Sequence, residues 1–428
     1  MSLRKFVKMF IPKSLFKKIE PFGHKLEAIF FNTIYGFPAR NIRFIGVTGT
    51  NGKTTTSFMI HKMMNNAGIE TGLMTTVAWG GATDIKPQIQ HMTNVTVPEM
   101  MKRLKYLKKL GVKWIVLETT SQGLAQNRVW GIPYEIAVMT NITHEHLDYH
   151  GTFENYRGAK VKLFKIANKR GLRTGIINAD DENAQYFESV IKNPITYGEK
   201  KGDLRAKAVE LGTNGSKYVA TYGTTEYEIR CNIPGSFNVY NSMAAVCVGI
   251  TLGLNPKQIT EGIAALENVE GRMTRITQGQ NFDVIVDFAH TPDSFEKLFK
   301  DLKPVVKGKL IVMFGSAGRR DETKRAIQGE LAGKYADEVV LTEEDDRDID
   351  GNQILEQIAQ GAIKTGKTKD KDLFLVLDRT EAIKFVIGRA AEGDTVLLLG
   401  KGHEKTIERA NGENPWDEIG TAKNLLKK

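Results

Sequence analysis

The stretch IGVTGTNGKTTTSFMIHKMM at residues 45–64 constrains the fold of this chain more than any other part of it. An apolar strand pattern runs into a glycine-rich turn, after which Lys53 and three threonines open an amphipathic helix. Gly49 and Gly52 allow backbone N–H groups to approach phosphate oxygens, and the helix N-terminus adds its dipole. Lys53 would neutralise the outer phosphates, and Thr54 can place a hydroxyl on Mg²⁺. The segment therefore predicts a strand–loop–helix unit that binds nucleotide phosphates.

The loop departs from the most general phosphate-binding pattern, which places a glycine five residues before Gly52. This chain has Val47 there, so TGTNGKTT is a narrower variant of the pattern. A glycine turn used only for packing would not need Lys53 and a run of threonines behind it. The residues expected around the phosphates are Gly49, Thr50, Asn51, Gly52, Lys53, Thr54 and Thr55.

The rest of the chain alternates short Leu, Ile and Val runs with amphipathic stretches, which is typical of a parallel sheet covered by helices. Buried strands are expected at 42–49, 114–119, 136–142, 174–179, 283–289, 309–315, 338–342, 374–378 and 395–400. Residues 196–233 are turn-rich and alternating, which predicts antiparallel hairpins at the margin of the sheet. A long helical stretch is expected at 238–265.

A fresh strand–helix series begins near residue 280, which places a domain boundary at about residue 269. The fold class expected is α/β, with a central nucleotide-binding domain on a mostly parallel sheet and a C-terminal Rossmann-like domain. The expected domains are a basic helical extension at 1–41, the central domain at 42–269 and the C-terminal domain at 270–428.

Composition excludes several classes of protein. Hydrophobic residues make up 41% and charged residues 26% of the chain, which is globular composition. No apolar run approaches the roughly 20 residues of a membrane-spanning helix. Cys231 and Cys247 form neither a metal-ligand pair nor a disulfide framework, and lysines interrupt the apolar residues of the N-terminus before a secretory core can form. A cytoplasmic location is therefore expected.

Positive charge is concentrated near the N-terminus, within a net charge of +10 for the whole chain. Residues 1–40 hold eight basic residues, Arg4, Lys5, Lys8, Lys13, Lys17, Lys18, Lys25 and Arg40, and two acidic ones. Pro12 and Pro21 are expected to interrupt this segment. Three interpretations stay open: a helical arm packed on the body, an interfacial helix at an anionic membrane, or cations that hold a nucleotide diphosphate. No motif supports nucleic-acid binding.

A second basic run, KRLKYLKKL at 102–110, has leucines at helical spacing. Leu104, Leu107 and Leu110 favour an ordinary amphipathic helix with a solvated basic face over a binding patch.

Glu118 and His146 follow two successive predicted strands. Residues just beyond the carboxyl ends of parallel strands converge on the ligand crevice of an open sheet, so both should lie beside the phosphate loop. An oxygen and nitrogen pair of this kind could hold a second Mg²⁺, although either residue alone would more often be structural.

Several longer motifs occur in the order found in Mur ligases, and the chain resembles that family over roughly residues 42–410. The motifs are TGTNGKTTT, NITHEHLDYHGTFENYRGAKVKLF, GSFNVYNSMAA, GRM, VDFAHTPDS, GRRDETKR and GKGHE. The likeness is greatest to the ligases that add the third residue to a UDP-N-acetylmuramoyl dipeptide. It implies ATP-dependent amide-bond formation through an acyl phosphate in peptidoglycan precursor synthesis.

The resemblance also implies site residues. It suggests ATP and two Mg²⁺ ions, with a carbamylated Lys160 joining Thr54, Glu118 and His146 at the metals. The catalytic residues it implies are Lys53, Glu118, His146, Lys160 and Arg272. The further ATP contacts it implies are Asn238, Asn241, Arg272, Asp287 and His290.

The amino acid is expected to bind the C-terminal domain. The family positions that read it correspond here to Arg320, Asp345, Arg347, Gly400 and Glu404. Arg347 favours an amino acid with a distal carboxylate, such as meso-diaminopimelate. The acidic residues beside it, Glu344 to Asp346, would also suit the distal ammonium of lysine.

The acceptor is less constrained. Thr96, Ser121 and Arg128 match family positions that contact it, whereas only about 42 residues precede the phosphate-loop strand. The N-terminal domain that grips the uridine nucleotide in the family is therefore expected to be lacking, which leaves a nucleotide-linked or a lipid-linked acceptor open. The alternatives are a pseudomurein-like or folyl-polyglutamate ligase and, in another class, a non-catalytic nucleotide-binding module. The partners expected are small molecules, and the chain is expected to be a monomer.

Overall fold

A computed structural model describes residues 13–89, 92–143 and 145–427, without the side chains of residues 13–19 and Asp148. Arg4, Lys5, Lys8 and Pro12 of the predicted basic extension lie outside the described residues. The chain forms two compact units. One contains the residues up to Val209 with Tyr218–Arg230 and Val239–Leu266, and the other contains Glu210–Lys217, Cys231–Asn238 and Glu267 onward.

The first unit is built on a sheet of eleven strands. In chain order these are β1 Arg43–Thr48, β2 Thr71–Met74, β3 Ala78–Gly80, β4 Ile85–Pro87, β5 Trp114–Glu118, β6 Tyr134–Met139, β7 Thr174–Asn178, β8 Asn193–Gly198, β9 Leu204–Gly212, β10 Gly215–Tyr222 and β11 Thr225–Cys231. Their spatial order is β11-β10-β9-β8-β7-β6-β1-β5-β2-β3-β4. Strands β8, β7, β6, β1, β5 and β2 run parallel, which confirms the predicted α/β class.

Helices cover this sheet. They are α1 Lys13–Ile34, α2 Lys53–Asn66, α3 Val97–Lys109, α4 Ser121–Ala125, α5 Leu147–His150, α6 Phe153–Ala167, α7 Ala184–Glu188, α8 Ser236–Thr251 and α9 Pro256–Ala264. Strand β1 is buried along nearly its whole length because helices cover both faces. A Cβ on Gly46 would lie 2.7 Å from Leu163 Cδ1 of α6, so the glycine lets helix and strand approach closely.

The second unit has a six-stranded sheet in the order β12-β13-β17-β14-β15-β16, in which only β12 is antiparallel to its neighbour. Its strands are β12 Thr274–Ile276, β13 Asp283–Asp287, β14 Leu310–Phe314, β15 Glu338–Leu341, β16 Leu373–Leu375 and β17 Thr395–Leu399, with a hairpin of β18 Thr406–Arg409 and β19 Gly412–Pro415. Its helices are α10 Pro292–Leu302, a 3₁₀ turn at Lys303–Val305, α11 Thr323–Tyr335, α12 Gly351–Lys364, α13 Arg379–Arg389 and α14 Glu418–Leu426.

All nine predicted buried strands are present, and the predicted marginal hairpins correspond to β9, β10 and β11. Two-residue turns join these neighbouring strands, a connection that only antiparallel strands allow. The predicted helical stretch at 238–265 is instead two helices. Gly253 adopts a φ of 73°, and Asn255 starts α9 with a capping box to Gln258.

Helix α1 differs from expectation because it continues through Pro21, where the sequence predicts an interruption. Asn127 Nδ2 donates to the Pro21 carbonyl at 3.0 Å. One face of α1 is buried at Ala28 and Asn32. Leu110 was also expected to pack with Leu104 and Leu107, but it lies just after the end of α3 and is 43% exposed.

Candidate active site

The glycine-rich loop between β1 and α2 is shaped by the end of β6. Gly52 has a φ of 80°, and a Cβ on it would lie 2.2 Å from Asn241 Oδ1. A Cβ on Gly49 would lie 1.8 Å from Thr140 Oγ1. Both positions thus require glycine, because neighbouring side chains occupy the space that a Cβ would need.

Polar side chains after β6 hold the backbone of the loop. Asn51 N donates to Asn141 Oδ1 at 2.9 Å, and Thr140 Oγ1 donates to the Asn51 carbonyl at 2.6 Å. Thr50 Oγ1 accepts from Thr143 N at 2.9 Å. The sequence reasoning missed Thr140, Asn141 and Thr143. Their position directly after a strand beside β1 is the signal that could have found them.

A hydroxyl and a carboxylate meet where β1 and β5 end. Thr54 Oγ1 donates to Glu118 Oε2 at 2.9 Å, and Glu118 Oε2 also accepts from Thr76 N at 3.0 Å. Glu118 is only 2% exposed. Oxygen ligands of this kind suit Mg²⁺, so the donor set fits one such ion with phosphate oxygens and water as further ligands. Lys53 Nζ donates to the Thr50 carbonyl at 2.6 Å.

His146 lies at the start of the four-residue helix α5 with a φ of 55°. Its side chain is 45% exposed, and its Nε2 is 3.8 Å from the Glu145 carboxylate. Within the described residues no three His, Cys, Asp or Glu side chains cluster as a metal site.

Lys160 is buried in α6, and its Nζ donates to the Gly49 carbonyl at 2.6 Å. Burial, and secondly the charge of Lys53, lower the pKa of Lys160 well below its ordinary value, while Glu145 and Glu118 oppose this shift. The ring of Tyr156 lies 4.6 Å from the amine. A buried amine with a lowered pKa is neutral in a larger share of molecules, and only a neutral amine is nucleophilic.

Of the two asparagines expected to contact ATP, Asn241 lies against the phosphate loop. Its Oδ1 accepts from Thr56 Oγ1 at 3.1 Å. Asn238 belongs to the second unit, where its Nδ2 donates to the Pro234 carbonyl at 2.7 Å. Thr55 is buried in the first turn of α2.

The expected acceptor residues lie around a cavity of about 270 Å³ in the first unit, which Thr96 and Arg128 line. Arg128 Nη1 donates to the Asn94 carbonyl at 2.5 Å. Ser121 begins α4, and its Oγ lies 3.1 Å from His150 Nε2. The sequence reasoning missed Asn94 and the contribution of α1 to this cavity.

In the second unit, Arg272, Asp287 and His290 lie near one another around Phe288. The Arg272 guanidinium stacks 4.6 Å from the Phe288 ring. Asp287 accepts from Met273 N and Ala289 N, each at 2.7 Å, and its burial raises its pKa. His290 Nδ1 lies 2.8 Å from the Phe288 carbonyl.

The acidic segment after β15 is tied to residues after β17. Asp345 Oδ1 accepts from Lys401 Nζ at 2.9 Å, and Lys401 also pairs with Glu404 at 2.6 Å. The sequence reasoning missed Lys401, although it stands inside GKGHE. Arg320 is exposed in the loop between β14 and α11.

Arg347 and Glu344 differ in their surroundings. Arg347 Nε donates to Glu408 Oε2 at 2.7 Å, and its Nη1 donates to the Gly318 carbonyl. Glu344 is 7% exposed, and its Oε2 has no hydrogen-bond partner among the described residues. That oxygen would lie 2.8 Å from a Cβ on Gly400. Burial, together with the neighbouring carboxylates, raises the pKa of Asp346 to about 6, although the hydrogen bond from the Glu344 backbone N–H opposes this shift.

The lowered pKa of Lys160 has a measurable consequence for stability. Between the folded-state pKa and the ordinary value of 10.5, the unfolded chain binds more protons at this lysine than the folded chain does. The free energy of unfolding of the wild type should therefore rise with pH relative to Lys160→Met, by at most about 1.4 kcal/mol per pH unit. Urea unfolding between pH 7 and 9.5 in CO₂-free buffer would measure it, with Lys165→Met, exposed on the same helix, as the control. Parallel pH profiles for wild type and Lys160→Met would contradict the assignment.

Comparison with known proteins identifies the family. Residues 47–249 match the Mur ligase middle domain, and residues 271–402 match the domain described as Mur ligase, glutamate ligase domain. A UDP-N-acetylmuramyl-tripeptide synthetase from Roseiflexus is 38% identical over 92% of this chain and 80% of its own length. A UDP-N-acetylmuramoyl-L-alanyl-D-glutamate–2,6-diaminopimelate ligase from Geobacillus thermodenitrificans is 39% identical over 90% and 79%.

A solved structure of a ligase with the same diaminopimelate-adding name has a TM-score of 0.67 and 29% identity, and the match covers 95% of this chain and 82% of that one. These matches span both units, and the middle-domain match includes the phosphate loop, Glu118, His146 and Lys160. The chain is therefore a member of the Mur ligase family.

Proposed function

We propose that this chain, an ATP-dependent ligase of peptidoglycan precursor synthesis, joins an amino acid to the peptide carboxylate of a muramoyl-type acceptor. The observation that carries the proposal is the cluster at the ends of β1 and β5, where Thr54 donates to Glu118 beside Lys53. ATP phosphates would contact Gly49 to Thr55, and Asn241 lies beside the same loop. Arg272, Asp287, His290 and Asn238 are proposed as further ATP contacts.

The reaction has to bring two anions together, because the acceptor carboxylate attacks the γ-phosphorus of ATP. The carboxylate oxygen bonds to phosphorus as the bond to ADP breaks. The neutral amine then attacks the acyl carbon, the bond from that carbon to the phosphoryl oxygen breaks, and inorganic phosphate and the amine's proton are released. Lys53 and Arg272 would lower the repulsion by neutralising negative charge on the phosphates. Thr54 and Glu118 would hold Mg²⁺ as oxygen ligands. Mg²⁺ supplies further positive charge on the phosphates when it is bound.

Lys160 is proposed to be carbamylated, as the resemblance implies. The neutral amine attacks CO₂, a nitrogen–carbon bond forms, and a proton is released to solvent. The product carries a carboxylate, which would add a metal ligand to Glu118 and His146. Burial and the lowered pKa support the reaction, because they raise the neutral share of the amine.

The amino acid is proposed to be diaminopimelate, with lysine as the alternative. Arg347 would read a distal carboxylate, and the buried Oε2 of Glu344 would accept from a distal ammonium. A diaminopimelate carries both groups at its distal end, whereas lysine carries only the ammonium. Arg320, Asp345, Gly400 and Glu404 would hold the rest of the amino acid.

The exposed face of α1 is proposed to contact an anionic membrane surface. Phe22, Leu26, Phe30 and Ile34 are each more than half exposed and follow helical spacing. The positive charge of residues 1–40 complements anionic lipid. No helix in the described part of the chain is long and apolar enough to cross a membrane. A cytoplasmic location and a monomeric state remain predictions from the sequence.

Turnover tests the proposed reaction directly. Phosphate release by the purified chain should require ATP, Mg²⁺, an amino acid and an acceptor, screened over nucleotide-linked and lipid-linked muramoyl peptides and a folate. Lys160→Ala should lose most of this activity, because a metal ligand is missing, and short carboxylic acids should restore part of it. Lys165→Met is the control. Full activity in Lys160→Ala would refute its role, and turnover with the folate alone would refute the acceptor class.

The proposed roles of Arg347 and Glu344 predict different effects of their substitution on the KM for diaminopimelate and the KM for lysine. Arg347→Ala should raise the KM for diaminopimelate about tenfold or more and leave the KM for lysine unchanged, because only the former has a distal carboxylate. Glu344→Gln should raise both, since both have a distal ammonium. Asp348→Asn, an exposed carboxylate next to Arg347, is the control. An equal rise in the KM for ATP would remove both assignments.

Vesicle sedimentation tests the membrane contact. The full chain should bind vesicles containing phosphatidylglycerol, and binding should weaken as salt is added because the charges are screened. Phe22→Ser combined with Phe30→Ser should reduce binding at least tenfold, whereas Ile363→Ser, exposed in the second unit, should not. Equal binding to neutral phosphatidylcholine vesicles, or none to either, would contradict the proposal.

A further inference from the structure

We propose that helix α1 forms one wall of the acceptor site, where Glu20 and Glu27, with His24 between them, bind the hydroxyl and amide donors of an N-acylated amino sugar. The inference rests on the proposed function and assigns acceptor recognition to residues that the Mur ligase resemblance does not include.

The cavity of about 270 Å³ has walls from separate elements of the first unit. Helix α1 contributes three titratable side chains, and the other wall comes from the segment leading into α3 and from α4 with the residues after it. Its lining residues are Glu20, His24, Glu27, Met92, Thr96, Val97, Gln122, Gln126 and Arg128. The volume is small for a drug-sized ligand and suits one sugar ring or a short peptide segment rather than a whole nucleotide.

The α1 wall is fixed in place. Asn127, just after α4, donates to the Pro21 carbonyl at 3.0 Å and accepts from Lys162 Nζ at 2.5 Å. His24 is 4% exposed and Ala28 is fully buried. The helix is thus a packed part of the first unit at this cavity.

The opposite wall is tied to Glu118 at the candidate metal site. Asn94 Nδ2 donates to the Glu118 carbonyl at 2.8 Å, and Asn94 Oδ1 accepts from Thr120 N at 2.9 Å. The Asn94 carbonyl accepts from Arg128. Asn94 therefore connects the end of β5 at Glu118 with Arg128 in the cavity wall. An acceptor whose carboxylate reacts beside Glu118 would have the rest of its length near this cavity.

The two walls offer complementary chemistry. On α1, His24 Nδ1 lies 3.3 Å from Glu27 Oε2, and His24 Nε2 lies 3.9 Å from Glu20 Oε1, so the imidazole stands between both carboxylates. Ionised carboxylates only accept hydrogen bonds, which suits sugar hydroxyls and an acyl-amide N–H. Across the cavity, the Arg128 guanidinium only donates, which suits a peptide carboxylate.

Calorimetric titration with two probes tests this assignment. The probes are N-acetylmuramoyl-L-alanyl-D-glutamate and L-alanyl-D-glutamate, added to the full chain without ATP or amino acid. Glu20→Gln combined with Glu27→Gln should weaken binding of the sugar-bearing probe at least tenfold, because two charged acceptors are lost, and leave binding of the dipeptide within twofold. Arg128→Gln should weaken both. Glu226→Gln, an exposed carboxylate on β11, is the matched control, and thermal melting verifies that each variant is folded.

Several outcomes would overturn the inference. Wild-type affinity for the sugar-bearing probe in the double variant would do so, as would no saturable binding of that probe to the wild type. An equal loss for both probes would assign α1 to the peptide instead of the sugar. Because binding is measured without turnover, absence of catalysis would count against the proposed function and leave this test intact.

Discussion

The register of β1 between β5 and β6 is the constraint on which the candidate site depends. Val47 pairs with both Glu118 and Val138, so three strands end at one level of the sheet. Glu118, the phosphate loop and the residues after Met139 are thereby brought together without any of them being close in sequence. A shift of one residue would turn Glu118 to the opposite face and separate it from Thr54.

Lys160 is buried beside the phosphate loop that follows β1. The amine lies under the loop on the Gly49 carbonyl, where few groups can solvate a charge. Lys53 adds a second positive charge nearby, and the pKa of Lys160 falls. The contacts that bury Lys160 under the loop are therefore also the ones that lower its pKa, which is what the proposed carbamylation needs.

Sequence reasoning succeeded where the information is local. The glycine-rich loop is encoded by eight consecutive residues, TGTNGKTT, and its strand–loop–helix unit is present. The buried strands are short apolar runs, which can be recognised without knowing which strands they pair with. It did not find Asn94, Lys401 or the α1 wall, because the contacts of Asn94 with Glu118, of Lys401 with Asp345 and of α1 with the other cavity wall form only in the folded chain. The prediction of an interruption at Pro21 was wrong, because α1 continues through this residue. Asn127 Nδ2 donates to the Pro21 carbonyl and holds this part of the helix against the first unit. Tertiary contacts outweighed local preference there.

The two faces of α1 connect the remaining proposals. Glu20, His24 and Glu27 face the cavity, whereas Phe22, Leu26 and Phe30 are exposed on the other side. In these proposals, one face of α1 binds the sugar of the acceptor and the other face contacts lipid. This arrangement would favour an acceptor that is itself held at the membrane surface. A nucleotide-linked acceptor, by contrast, requires only the cavity face. The sugar-dependent loss on changing Glu20 and Glu27 and the lipid-dependent loss on changing Phe22 and Phe30 are thus separable properties of one helix.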